Sequence, residues 1–220
     1  MAPPSTRLPA LVLLVLSLAL LAGEIPYALA FGTVLPALPR LETLDDPAPL
    51  VPLWSRAVAT FPDPRLLSDL ALLRMAAARL DPHSTSATWQ NVSDSLKAVL
   101  DSRPLDPVTW ARLSYAETRA SNPDAARSAM ARSLVTGRYI PGFMQWRYAH
   151  ALSLWSGMTE DQRRLLAGQT DLLWRKKHWD LIRLSRLGPF ADPVESMIST
   201  YFPERLDEFL RHRGHVGHTR

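Results

Sequence analysis

The sequence contains no cysteine. That absence excludes disulfides, lipoprotein attachment, thiolate metal sites and a cysteine nucleophile. Glycine is sparse, 9 residues in 220, and no phosphate-cradling glycine loop occurs. Lysine is rarer: Lys97, Lys176 and Lys177 are the whole supply within a Lys-plus-Arg total of 25. Arginine codons are GC-rich and lysine codons AT-rich, so this bias points to a high-GC, bacterial genome. No G-x-S-x-G is present. Period-two alternation never lasts through a run bounded by turn residues, which leaves no convincing strand. The net charge of +4 is small for this length and attracts anionic surfaces only weakly.

What is present reads as globular, with 47% apolar and 21% charged residues and enough length for a real core. The first residues, MAPPSTRLPALVLLVLSLALLAGEIPYALAF, pair a short positive n-region at Arg7 with an uncharged apolar run from Leu8 to Gly23. This is an export signal. Two fates fit it. Residues 8–31 form a retained single-pass anchor, or Ala28-Leu29-Ala30 is a small-x-small cleavage site with Phe31 as the mature start; the anchor is the reading carried forward. Arg7 precedes the run and only Glu24 follows closely, so the bulk of the chain faces away from the cytoplasm. The expected location is the bacterial inner membrane with the bulk in the periplasm, or the soluble periplasm after cleavage following Ala30. No Arg-Arg pair precedes the run, which argues against a twin-arginine route.

Asx-Pro recurs at Asp46-Pro47, Asp63-Pro64, Asp81-Pro82, Asp106-Pro107, Asn122-Pro123 and Asp192-Pro193. Asp or Asn caps the free N–H groups of a first turn, and Pro fits the next position, where no N–H is needed. Each pair therefore predicts a helix start, giving helices near 50–61, 64–80, 84–102, 107–120 and 123–136. Further on, a helix is expected from Phe143 to Ser156. A Thr159–Gln162 capping box opens another, which Gly188-Pro189 stops; Asp192-Pro193 starts a short helix to Tyr201, and Pro203 the last, to about Arg213. The expected organisation is a signal peptide or membrane anchor at 1–30 and a Pro-rich linker at 31–49. Helical hairpins follow at 50–137 and 138–213, then a disordered tail at 214–220. The expected fold is all-α: a short solenoid of antiparallel helix hairpins behind an N-terminal hydrophobic helix.

Trp110, Leu113 and Ser114, followed by Ala126, Met130 and Ser133, stand at tetratricopeptide offsets, and through them residues 107–138 resemble a tetratricopeptide repeat. The pattern departs at Glu117, where it expects Tyr, and at Arg138, where it expects Pro. The helices of 64–102 share the helix-ending style without the spacing and read as degenerate repeats. The stretch QWRYAHALSLWSGMTEDQRRLLAGQ, through Arg147, Trp155, Arg163 and Gln169, is similar to a group of uncharacterised alpha-proteobacterial envelope proteins with an apolar N-terminal helix and degenerate repeats. That resemblance implies a tie to surface polysaccharide production.

Candidate chemistry is thin. His212, His215 and His218 are spaced by three, but Gly214 and Gly217 interrupt them, so a loose tail fits better than a metal site. His83, His150 and His178 have no partner at a recognisable spacing. Asp45-Asp46 lies in the linker, and Glu160-Asp161 sits in a first helical turn, where it offsets the macrodipole. No catalytic, cofactor or metal residue is assigned, and an enzyme is not expected. Asn91-Val92-Ser93 matches a glycosylation sequon, but it falls inside a predicted helix.

The most basic stretch is Trp174 to Arg186. Trp174, Arg175, Lys176, Lys177, Trp179 and Arg183 are its candidate contacts for a partner or glycan. In the competing reading Trp174, Leu181 and Leu184 face the core and the charges face water, which is favoured because solvated helices usually carry charged faces. The expected function is an exported scaffold that binds protein partners of unknown identity. A subunit touching polysaccharide directly is one alternative, and an enzyme whose residues meet only in three dimensions is another. Nucleic acid is not expected as a partner of an exported chain.

Overall fold

The structure is a computed structural model that describes residues 46–214, together with Ala28 and Leu29. The rest of the expected export segment, most of the linker and the tail from 215 lie outside the described residues. Among the described residues the chain is all-helical, with no strand, as the sequence predicts. No helix among them is long and apolar enough to cross a membrane. The chain divides into two compact units between Ser84 and Thr85.

In the first unit a 3-10 turn, Ala48–Leu50, leads into α1 (Val51–Thr60), and α2 is Pro64–Leu80. Asp46 Oδ1 accepts from Ala48 N at 2.9 Å, and Asp63 Oδ1 from Arg65 N at 2.7 Å. Both are the local hydrogen bonds that Asx-Pro promises. Trp54 and Ala57 of α1 meet Leu66, Leu70 and Leu73 of α2 in a small core.

The second unit begins with α3 (Ser86–Ser102), α4 (Pro107–Arg119) and α5 (Pro123–Thr136). Asp106 behaves as expected, its Oδ1 accepting from Val108 N at 3.0 Å and Thr109 N at 3.3 Å. Three other Asx residues do not cap. Asp81 closes α2, and its carboxylate turns the chain by accepting from His83 N at 2.8 Å. The cap of α3 is Thr85, in a capping box with Thr88. Asn122 gives its amide to Glu117 Oε2 and Gln90 Oε1 instead of capping α5. The turn there is set by Ser121, which has φ 67, and by Asn122 N donating to Glu117 O at 2.8 Å. This is the left-handed helix ending usually given to glycine.

Next come α6 (Met144–Ser153), a 3-10 turn (Trp155–Gly157), α7 (Glu160–Ser185), α8 (Gly188–Tyr201), a second 3-10 turn (Pro203–Arg205) and α9 (Leu206–Gly214). The Thr159–Gln162 capping box forms as predicted. Asp192-Pro193 does not start a helix. Gly188-Pro189 opens α8, and Pro193 sits in its second turn, where it forfeits one main-chain hydrogen bond. Burial of Val194, Met197 and Ile198 just beyond it holds the helix. Helix α7 is broken at Lys177, with φ −150 and ψ 48, although no Gly or Pro stands there.

Five of the six repeat positions, Leu113, Ser114, Ala126, Met130 and Ser133, are buried. Ser133 Oγ donates to Pro107 O at 2.7 Å, joining the end of α5 to the start of α4. Trp110, whose ring the repeat reading packs between 107–120 and 123–136 near Ala126 and Met130, is placed differently. It is half-buried, its Nε1 donates to Pro104 O at 2.7 Å, and the Arg132 guanidinium lies 5.0 Å from its ring centroid. The indole N–H needs an acceptor, and the one it uses is in the exposed loop before α4, so the ring lies toward the surface.

Candidate functional site

The break at Lys177 determines how the basic stretch is presented. Before it, Trp174 packs half-buried against the core of the second unit. After it, Leu181 and Leu184 are buried in that core. Trp179 is 56% exposed. For Trp174, Leu181 and Leu184 the core reading is the better description.

The charges are likewise divided. Arg175 pairs with Asp171, which also holds Arg205 at 2.8 Å. Burial raises the Asp171 pKa, but the hydrogen bonds and charges of Arg205 and Arg175 outweigh it and hold the carboxyl below its ordinary value. Arg183 pairs with Asp180 at 3.0 Å. Lys176 and Lys177 are exposed and make no ion pair among the described residues. The stretch therefore offers Trp179 and two unpaired lysines, and the other members serve the fold.

A partner element completes this edge. The His178 ring centroid lies 4.6 Å from that of Trp179, and His212 of α9 stands edge-on to Trp179 at 5.3 Å. An open depression of about 530 Å³ is lined by Trp179, Glu208, Arg211 and His212. His212 Nε2 lies 3.6 Å from Glu208 Oε1. His212, considered above as a tail ligand, is instead part of an aromatic cluster; His215 and His218 lie outside the described residues. Among the described residues no group of three His, Asp or Glu side chains is placed to hold a metal. The contribution of α9 had no sequence signal, because it depends on how α9 docks on α7.

One contact that bears on enzymatic chemistry is present. Ser114 Oγ lies 3.1 Å from His150 Nε2. Ser114 is fully buried, and the other His150 nitrogen meets Ser153 Oγ at 3.4 Å, not a carboxylate. Burial pushes the His150 pKa down to about 4. The rings of Tyr115 and Trp146 each lie 5.6 Å from it. This arrangement lacks both an orienting acid and an approach to the hydroxyl.

The residues that carry the envelope-protein resemblance are brought together by packing. Arg147 is fully buried and donates to Ser133 O at 3.1 Å, Gly137 O at 2.6 Å and Arg138 O at 3.3 Å, and also to Gln169 Oε1. It closes the carbonyl end of α5, where a cation is favoured, and burial pushes its pKa down to about 10. The Arg163 guanidinium lies 4.7 Å from the Trp155 ring centroid. These pairs are structural.

Comparison with family models, curated proteins and solved structures returns no match. The resemblances described above rest on their own residues.

Proposed function

We propose that this chain is a tetratricopeptide-like helical scaffold, exported and membrane-anchored, that binds a protein partner in the bacterial envelope in the service of surface polysaccharide production. The observation that carries it is the exposure of Trp179 beside two unpaired lysines. A large aromatic side chain at 56% exposure gains little for the fold, and tryptophan is over-represented among residues that dominate interface energies. Hairpins that pack on their sequence neighbours leave an open side for a partner.

A second reading is favoured by the same ring: an exposed indole also stacks on sugar faces, which would make the protein a glycan-binding subunit. Because Trp174 packs on the core and Arg175 is held by Asp171, such contact would fall to Trp179, Lys176 and Lys177.

A photo-crosslinking side chain at position 179 in the full chain, in cells, separates these readings. The scaffold reading expects a discrete protein adduct, lost when Lys176 and Lys177 are both changed to Ala. Adducts to carbohydrate alone would favour the second reading, and no adduct of either kind would reject the site.

A further inference from the structure

A second cleft lies between the end of α5 and the first half of α7, with a volume of about 350 Å³. That is room for one or two side chains, at the lower end of ligand-site sizes of about 300–1,000 Å³. Its apolar wall includes Leu134, Val135 and Leu165. Val135 is 66% exposed and Leu165 37%, so neither is consumed by the core.

Two arginines and no acidic residue line the cleft. Arg138 is exposed and its guanidinium makes no ion pair among the described residues. Arg164 has only an exposed pair with Glu160 at 3.3 Å, the kind that water and salt weaken readily. Gln169 completes the wall. It is 3% exposed, its Oε1 is occupied by Arg147, and its Nε2 has no acceptor. A buried amide N–H without a partner is uncommon and costly.

Gly168 keeps the space open. A Cβ there would meet nothing within 4 Å. Inside a helix, glycine costs about 1 kcal/mol relative to Ala, and no close approach of a neighbour requires it at this position.

We propose that this cleft binds a peptide segment in which an acidic side chain adjoins an aliphatic one. The carboxylate sits between Arg138 and Arg164. The aliphatic side chain lies over Leu134, Val135 and Leu165. Two cations without a lining acid select for negative charge, and the apolar wall selects for a neighbouring hydrocarbon. This deepens the scaffold reading by naming a ligand chemistry. It shares no residue with the Trp179 edge, so the two can fail separately.

The test is fluorescence anisotropy of the full chain with a labelled, amidated Gly-Leu-Glu-Leu-Gly peptide, against the same peptide carrying Gln for Glu. The acidic peptide should bind saturably, and the Gln peptide about tenfold more weakly, as expected for loss of a charge-assisted contact. Gly168→Met, whose side chain enters open space, should abolish binding with the melting temperature unchanged or raised. Arg138→Gln should weaken it about tenfold. Equal affinity for the two peptides, or binding that survives Gly168→Met, would overturn the proposal. So would the absence of saturable binding up to about 1 mM, the weak limit of useful affinity. Binding of sodium octanoate without the peptide would also overturn it, by assigning the cleft to a small lipid-like acid. A full chain with the native cleft that fails to bind the acidic peptide, while the protein crosslink at position 179 forms, would overturn this proposal alone.

Discussion

The guanidinium of Arg147 and the amide of Gln169, contributed by α6 and α7, meet in the fully buried layer under the end of α5. Arg147 also holds three main-chain carbonyls there. Removing it strands the buried Ser133 carbonyl and the buried Gln169 amide oxygen, at about 1–3 kcal/mol for each unsatisfied group, whereas Gly137 O and Arg138 O are only partly buried. Arg147→Met should therefore lower stability by about 3 kcal/mol or more. Arg147→Lys should recover only part, because an ammonium cannot span the carbonyls as a planar fork does. Urea unfolding of both variants measures the difference.

Gly137 is required by close approach, not by its backbone angles. A Cβ there would stand 2.4 Å from Pro107 Cγ, part of the rigid first turn of α4. Gly137→Ala should cost about 1–3 kcal/mol, the range for overpacking. Ser121 is the opposite case, a side chain on a left-handed residue. Ser121→Gly should raise stability by up to about 1 kcal/mol, by removing the Cβ penalty there. Thermal unfolding should move in opposite directions for the two.

Two buried titrating groups give acid sensitivity in different windows. Unfolded His150 takes up a proton below its ordinary 6.5, whereas burial keeps the folded ring neutral down to about 4. Stability is thus lost as the pH falls from 6.5 towards 4. For Glu117, burial raises the pKa, but hydrogen bonds from Lys97, Ser93 and Asn122 outweigh that and hold it below 4.5. Its stabilisation is present above 4.5 and is lost as pH falls through the lowered value. His150→Phe should remove the first loss and Glu117→Gln the second, read as the urea midpoint from pH 7 to 3. A wild-type midpoint flat over that range would refute both.

Trp89 and Trp110 should differ although both belong to the second unit. Trp89 is 1% exposed, and its replacement by Ala should cost about 3–5 kcal/mol. Trp110 is half-buried and bonded to the loop carbonyl of Pro104, so Trp110→Ala should cost clearly less. Equal losses of melting temperature would show that Trp110 is a core residue after all.

The all-helical class, most helix boundaries and the caps at Asp63, Asp106 and Thr159 were legible in the sequence. A cap is made within four residues of chain, so local sequence suffices to specify it. The same dipeptide at Asp81, Asn122 and Asp192 was used otherwise: Asp81 turns the chain at His83, Asp192 lies within α8, and at Asn122 groups outside that span competed for the side chain. Asn122 shows this most clearly, since its amide is drawn away by the buried carboxylate of Glu117. The turn outward of Trp110 needed the Pro104 carbonyl, and the break at Lys177 carries no local signal at all. The pairs of Arg175 with Asp171 and of Arg183 with Asp180 join neighbours three or four residues apart on α7, so their spacing was legible too. Only tertiary packing decided that Trp174 would join the core and that α9 would bring His212 to Trp179. Which rings remain free for a partner depends on contacts between distant segments, and residue types along one helix do not encode those contacts.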